Sequence, residues 1–81
     1  MKKRVRPEKY RKALGEVIQS KRLRLNLSQE ELGHRVKLQR TYIGTIERGE
    51  MNITIRNILK ISKALETTPS KLLAAVERQL A

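Results

Sequence analysis

The 81-residue chain contains no cysteine, which excludes a disulfide framework and any thiolate metal site and fits a reducing compartment. It also contains no aspartate, and His34 is its single histidine. A metal centre or a nucleophile–base–acid triad cannot be assembled from such a set. No glycine-rich phosphate loop is present among the four glycines. The expectation is therefore a protein that is not an enzyme, with no metal and no cofactor. No apolar run is long enough for a signal peptide or a membrane span, so a cytoplasmic protein without a membrane partner is expected. No segment shows the alternation of a half-buried strand.

What the chain has in excess is positive charge. Nineteen Lys and Arg stand against eight acidic residues, a formal net charge of +11. Such a balance calls for a polyanionic partner. An anionic membrane is one candidate, but the basic N-terminal run lacks the broad apolar face of an interfacial helix, so nucleic acid is favoured. Residues 1–12 carry seven basic side chains against Glu8 alone, a net of +6. Lys2, Lys3, Arg4 and Arg6 form its outer part. Two readings stay open: a solvated tail, or a basic arm that tracks the backbone or minor groove of DNA. The division read from the sequence is an arm over residues 1–9 and a single folded domain over residues 10–81.

The most informative stretch runs from Ser28 to Gly49 and reads as two short helices joined by a tight turn. Ser28 is a good N-cap, and Glu31 three residues on can bond back to its amide, completing a capping box. Leu27 and Leu32 fit the accompanying hydrophobic staple. Leu32 and Val36 give the first helix a narrow apolar stripe; Leu38, Ile43 and Ile46 give the second its inward face. Gly49 suits a left-handed C-terminal cap. This leaves Gln39, Arg40, Thr41, Gly44, Thr45 and Arg48 facing out. The pattern is that of a helix-turn-helix, whose second helix lies in the major groove of DNA.

Around this motif the periodicity predicts three more helices. The first starts near Pro7 and runs to about Leu23, with Tyr10, Leu14, Val17 and Ile18 towards the core. Lys21, Arg22 and Arg24 suit its C-terminal dipole, and Asn26 takes the following turn. Thr54 caps a fourth helix with Ile55, Ile58, Leu59, Ser62 and Leu65 on its buried face. Thr68 followed by Pro69 opens a fifth, lined by Leu72, Leu73, Val76 and Leu80. The fold class is all-α, a compact domain of five helices.

Leu14-Gly15 with Arg22, then Leu27-Ser28-Gln29-Glu30-Glu31-Leu32, Arg40-Thr41-Tyr42-Ile43 and Ile46-Glu47-Arg48-Gly49, in this order and spacing, resemble the XRE family. This is the phage repressor and Cro type of helix-turn-helix, and the resemblance runs from about Tyr10 to Leu73. It implies a lambda-repressor-like fold and a transcriptional regulator acting as a homodimer on an inverted-repeat operator in double-stranded DNA. It further implies base-edge contacts by Gln39, Arg40, Thr41, Gly44 and Thr45, and phosphate contacts by Gln29, Tyr42, Arg48 and Asn52. Arg22 and Glu47 match a family ion pair; the bland alternative is two unrelated surface charges. Three positions depart from the family pattern: Lys37 where glycine is usual in the turn, Gln39 at the second helix's N-cap, and Gly33 where alanine is common.

Arg40-Thr41-Tyr42-Ile43 and Asn52-Ile53-Thr54-Ile55 also resemble the restriction–modification controller branch, whose dimers form through the C-terminal helices. Ile61, Leu73, Val76 and Leu80 are accordingly expected at a dimer interface. A second reading is an antitoxin-like module whose main partner is a toxin protein and whose DNA binding is autoregulatory. No effector domain is evident, so no small-molecule ligand is expected.

Overall fold

A computed structural model describes residues 5–81, with five helices: α1 (Pro7–Arg24), α2 (Gln29–Val36), α3 (Arg40–Glu47), α4 (Ile55–Ala64) and α5 (Pro69–Leu80). Among the described residues there is no strand. Lys2, Lys3 and Arg4 lie outside the described residues. Helix α1 begins at Pro7, whose fixed φ suits a first turn, so Glu8 and Lys9 are helical.

Local chemistry sets most boundaries. The Ser28 hydroxyl accepts from the Glu31 amide at 2.9 Å while the Glu31 carboxylate accepts from the Ser28 amide at 2.8 Å. That exchange satisfies two of the four donors a helix start leaves open. Thr54 and Thr68 cap α4 and α5 through the amides of Asn57 and Lys71. Asn26, Lys37 and Glu66 hold left-handed backbone at φ 58, 59 and 60. For lysine, where glycine would be free, that conformation costs roughly 1–2 kcal/mol.

The core lies where α1, α2, α3, α4 and α5 converge, with Ile18, Leu32, Ile43, Ile61 and Leu72 fully enclosed. Burying each such side chain contributes about 1.5–3 kcal/mol. Helix α1 packs directly on the end of α3 at Gly15, where a Cβ would collide with the carbonyl oxygens of Ile46 and Glu47.

The burial differs from the sequence expectation at several positions. Tyr10 is 41% exposed, because the start of α1 reaches past the packed centre. On α4 the buried side is Ile61 and Ser62 with Ile58 half-buried, continued by the buried C-cap Leu65, whereas Ile55 and Leu59 stand 73% and 54% exposed. Ile61 and Val76, expected at a dimer interface, are enclosed within the monomer core. Leu80 packs half-buried against that core, and only Leu73 of the four keeps substantial exposure. An apolar stripe wider than the contact it meets leaves one flank uncovered, and here that flank is on α4.

Candidate nucleic-acid interface

The turn joining α2 to α3 closes tightly: the Leu38 amide donates to the Gly33 carbonyl at 2.8 Å, and a Cβ at Gly33 would strike the Leu38 carbonyl oxygen. Glycine at position 33, where the family often has alanine, therefore lets the turn fold onto α2. Gln39 is the N-cap of α3 but supplies no side-chain bond, which leaves the first-turn amides without a side-chain acceptor.

A buried ion pair fixes α3 against the rest. Arg22 donates from Nε to Glu47 Oε2 at 2.6 Å and from Nη2 to Oε1 at 3.0 Å. Its Nη1 donates to the Leu27 carbonyl at 2.8 Å. Gln29 Nε2 donates to Glu47 Oε1 at 3.0 Å. The two charged side chains are 8% and 2% exposed, so the unrelated-surface-charge alternative does not apply. This planar fork joins α1, the segment before α2 and the end of α3. Gln29, expected as a phosphate contact, commits one of its amide hydrogens to this network.

The outward side of α3 carries Gln39, Arg40 and Thr41, all exposed. Gly44, expected to face out, is buried: Arg48 Nη1 and Gln29 Oε1 lie 3.1 and 3.4 Å from where its Cβ would be. Thr45 is half-exposed, and its hydroxyl donates to the Thr41 carbonyl at 2.8 Å and accepts from Arg48 Nη2 at 3.4 Å. Arg48 Nε also donates to Glu50 Oε1 at 3.1 Å. A ladder Thr41–Thr45–Arg48–Glu50 thus runs along the exposed face.

Two side chains unsuspected in the sequence support this surface. Asn57 on α4 donates to the Tyr42 hydroxyl oxygen at 2.7 Å, which leaves the phenolic hydrogen free to donate outward. Arg11 on α1 donates to Asn52 Oδ1 at 3.3 Å. Partners 15 and 41 residues apart leave no signal in local periodicity. At the start of α2, hydrogen bonds from the Ser28 amide and then the Ser28 hydroxyl lower the Glu31 pKa, with Arg35 adding a smaller attraction. The carboxylate therefore stays charged at the positive end of the α2 dipole.

Among the described residues, no three His, Cys, Asp or Glu side chains gather as a metal site, and no helix is long and apolar enough to cross a membrane. The exposed surface sets planar and hydroxyl donors at the start of a short, rigidly held helix, with cations beside it.

The helix-turn-helix family pattern matches residues 18–72. The chain is 47% identical over 60 residues to the control protein C.SmaI of Serratia marcescens, covering 74% of this chain and 71% of that relative. It is 54% identical over 48 residues to the control protein C.BamHI of Bacillus amyloliquefaciens, covering 59% of each, so it spans under two thirds of that relative. Its fold superposes with a TM-score of 0.78 and 31% identity on the restriction–modification controller protein C.Esp1396I, solved as a tetramer in complex with its natural 35-base-pair operator, covering 86% of this chain and 92% of that one. Matched over more than half its length and built around the α2–turn–α3 unit described above, this chain belongs to the XRE-type helix-turn-helix family.

Proposed function

We propose that this protein is a sequence-specific transcriptional regulator that binds an inverted-repeat operator as a homodimer and controls restriction–modification genes. The observation that carries this reading is the exposed Gln39–Arg40–Thr41 edge of α3, held in place from beneath by the buried Arg22–Glu47 pair. Relatives named as control proteins favour it over the antitoxin-like alternative. In this reading Gln39, Arg40, Thr41 and Thr45 meet base edges, and Gly44 admits the groove only once Arg48 moves off it. Gln29, Tyr42, Arg48 and Asn52 then hold phosphates. The protein works in the cytoplasm, where its operator is, and carries no catalytic step. Lys2, Lys3, Arg4 and Arg6 add backbone attraction.

A two-fold operator requires a self-complementary protein surface. Ile55 and Leu59, side by side at i and i+4 on α4 and largely exposed, supply one, with Leu73 as the exposed apolar residue of α5. The test is selection of bound duplexes from a random library. A palindromic consensus with half-sites about 34–36 Å apart is expected. An asymmetric consensus, or none, would remove the dimeric-regulator reading.

A further inference from the structure

A second cationic surface lies beside the face just described. Arg35 and Lys37 at the end of α2 and Lys60 and Lys63 on α4 surround one open depression whose apolar walls are Val36 and Ala64. All four charged residues are exposed. The ion pairs among the described residues are Arg6–Glu8, Arg22–Glu47 and Arg48–Glu50, so none of the four is in a salt bridge, although Glu31, four residues back on α2, attracts Arg35. Four like charges around one hollow repel one another, and an anion seated there would relieve that repulsion. The hollow's lining contains no carboxylate, although Glu30 lines the neighbouring depression.

Two observations say which anion. Lys37 borders this hollow and also the adjoining depression lined by His34, Gln39 and Arg40, so the cationic surface is continuous with the start of α3. Lys37 also keeps a long basic side chain at a left-handed φ of 59 that favours glycine, a local cost that calls for a compensating use. A polyanion already held at α3 therefore has a ready continuation across Lys37 into the hollow.

Resting on the regulator reading above, we propose that Arg35, Lys37, Lys60 and Lys63 form a second phosphate-binding track, which takes the DNA backbone flanking the segment that α3 reads. The flanking duplex bends towards α4 to reach it, so the contact contributes affinity without reading bases directly.

The test uses the full chain and the duplex that it selects from a random library, prepared with about one helical turn, roughly 10 base pairs, of flank on each side and also trimmed to the half-sites. Lys60→Gln with Lys63→Gln removes two exposed charges from a helix surface, and circular dichroism checks that the helices persist. On the flanked duplex, the slope of log affinity against log salt should fall by about 0.9 for each lost contact, roughly 3.6 in all for two lysines in each protomer of the dimer. On the trimmed duplex, wild type and variant should share one slope, and the selected consensus should not change. An unchanged slope on the flanked duplex overturns the track and leaves the regulator reading standing, as would be the case if the hollow received an acidic protein. An equal fall on both duplexes also overturns it, since the lysines would then act by general attraction. If wild type selects no duplex, the regulator reading fails and the track fails with it.

Discussion

Arg22→Met isolates the buried pair on which the placement of α3 depends. The substitution keeps side-chain length and removes the charge, leaving the Glu47 carboxylate 2% exposed with only Gln29 Nε2 as a donor. The Leu27 carbonyl loses its Arg22 Nη1 donor as well. Breaking a buried pair on one side typically costs about 3–5 kcal/mol, because the surviving charge stays desolvated. Set against a whole-domain stability of roughly 5–15 kcal/mol, that is a large fraction. At about 4–8 °C per kcal/mol for a domain of this size, thermal unfolding followed by circular dichroism should move down by at least ~12 °C. The double variant Arg22→Met with Glu47→Leu removes both charges and should recover most of the loss. DNA affinity should not recover with it, since Gln29 would still lack its partner. A shift of Arg22→Met below about 4 °C, the size expected of a solvent-exposed pair, would refute the claim that burial makes this pair structural.

Arg40→Ala should cost roughly 1–3 kcal/mol on the selected operator and relax one base pair per half-site symmetrically, because the guanidinium fork can bond O6 and N7 of a guanine. An unaltered consensus in repeat selection would make Arg40 a phosphate contact only. Ile55→Glu with Leu59→Glu should give helical monomers in analytical ultracentrifugation, whereas Val76→Glu should lose helical content because that side chain is enclosed. An intact dimer in the first variant would place the interface elsewhere. The lowered pKa of Glu31 means that its cap contribution is complete above the ordinary glutamate range and is lost as pH falls through the lowered value. Glu31→Gln should accordingly be less stable than wild type at neutral pH, and chemical denaturation should show the gap closing in acid; a gap independent of pH would refute the charged cap.

Some features were legible because they depend on neighbours in the chain. Ser28 with Glu31, Thr54, Thr68-Pro69, the left-handed backbone at Asn26 and the turn at Gly49 follow from backbone hydrogen-bonding and φ preferences that act within four residues, whereas at Lys37 only the glycine usual in the family pointed to a left-handed turn. The Arg22–Glu47 pair is different. Residue chemistry left it open between two readings, and the family resemblance pointed to it across 25 positions. Asn57 beneath Tyr42 and Arg11 beside Asn52 had no such pointer and emerge only from the packing.

Periodicity and local capping chemistry determined five helices and the two-helix unit that presents Gln39, Arg40 and Thr41. It could not determine which flank of each apolar stripe is covered. Ile55, Leu59, Ile61 and Val76 carry the same hydrophobic signal, yet two stand in solvent and two are enclosed. Helical spacing defines a face no narrower than about 100° of arc, and the neighbouring helices choose which part of it they cover. Tertiary structure likewise decided that Gly44 lies under Arg48 and that cations from α2 and α4 meet around one hollow. Local rules end where residues far apart in the chain compete for the same space, and there only the packed chain decides.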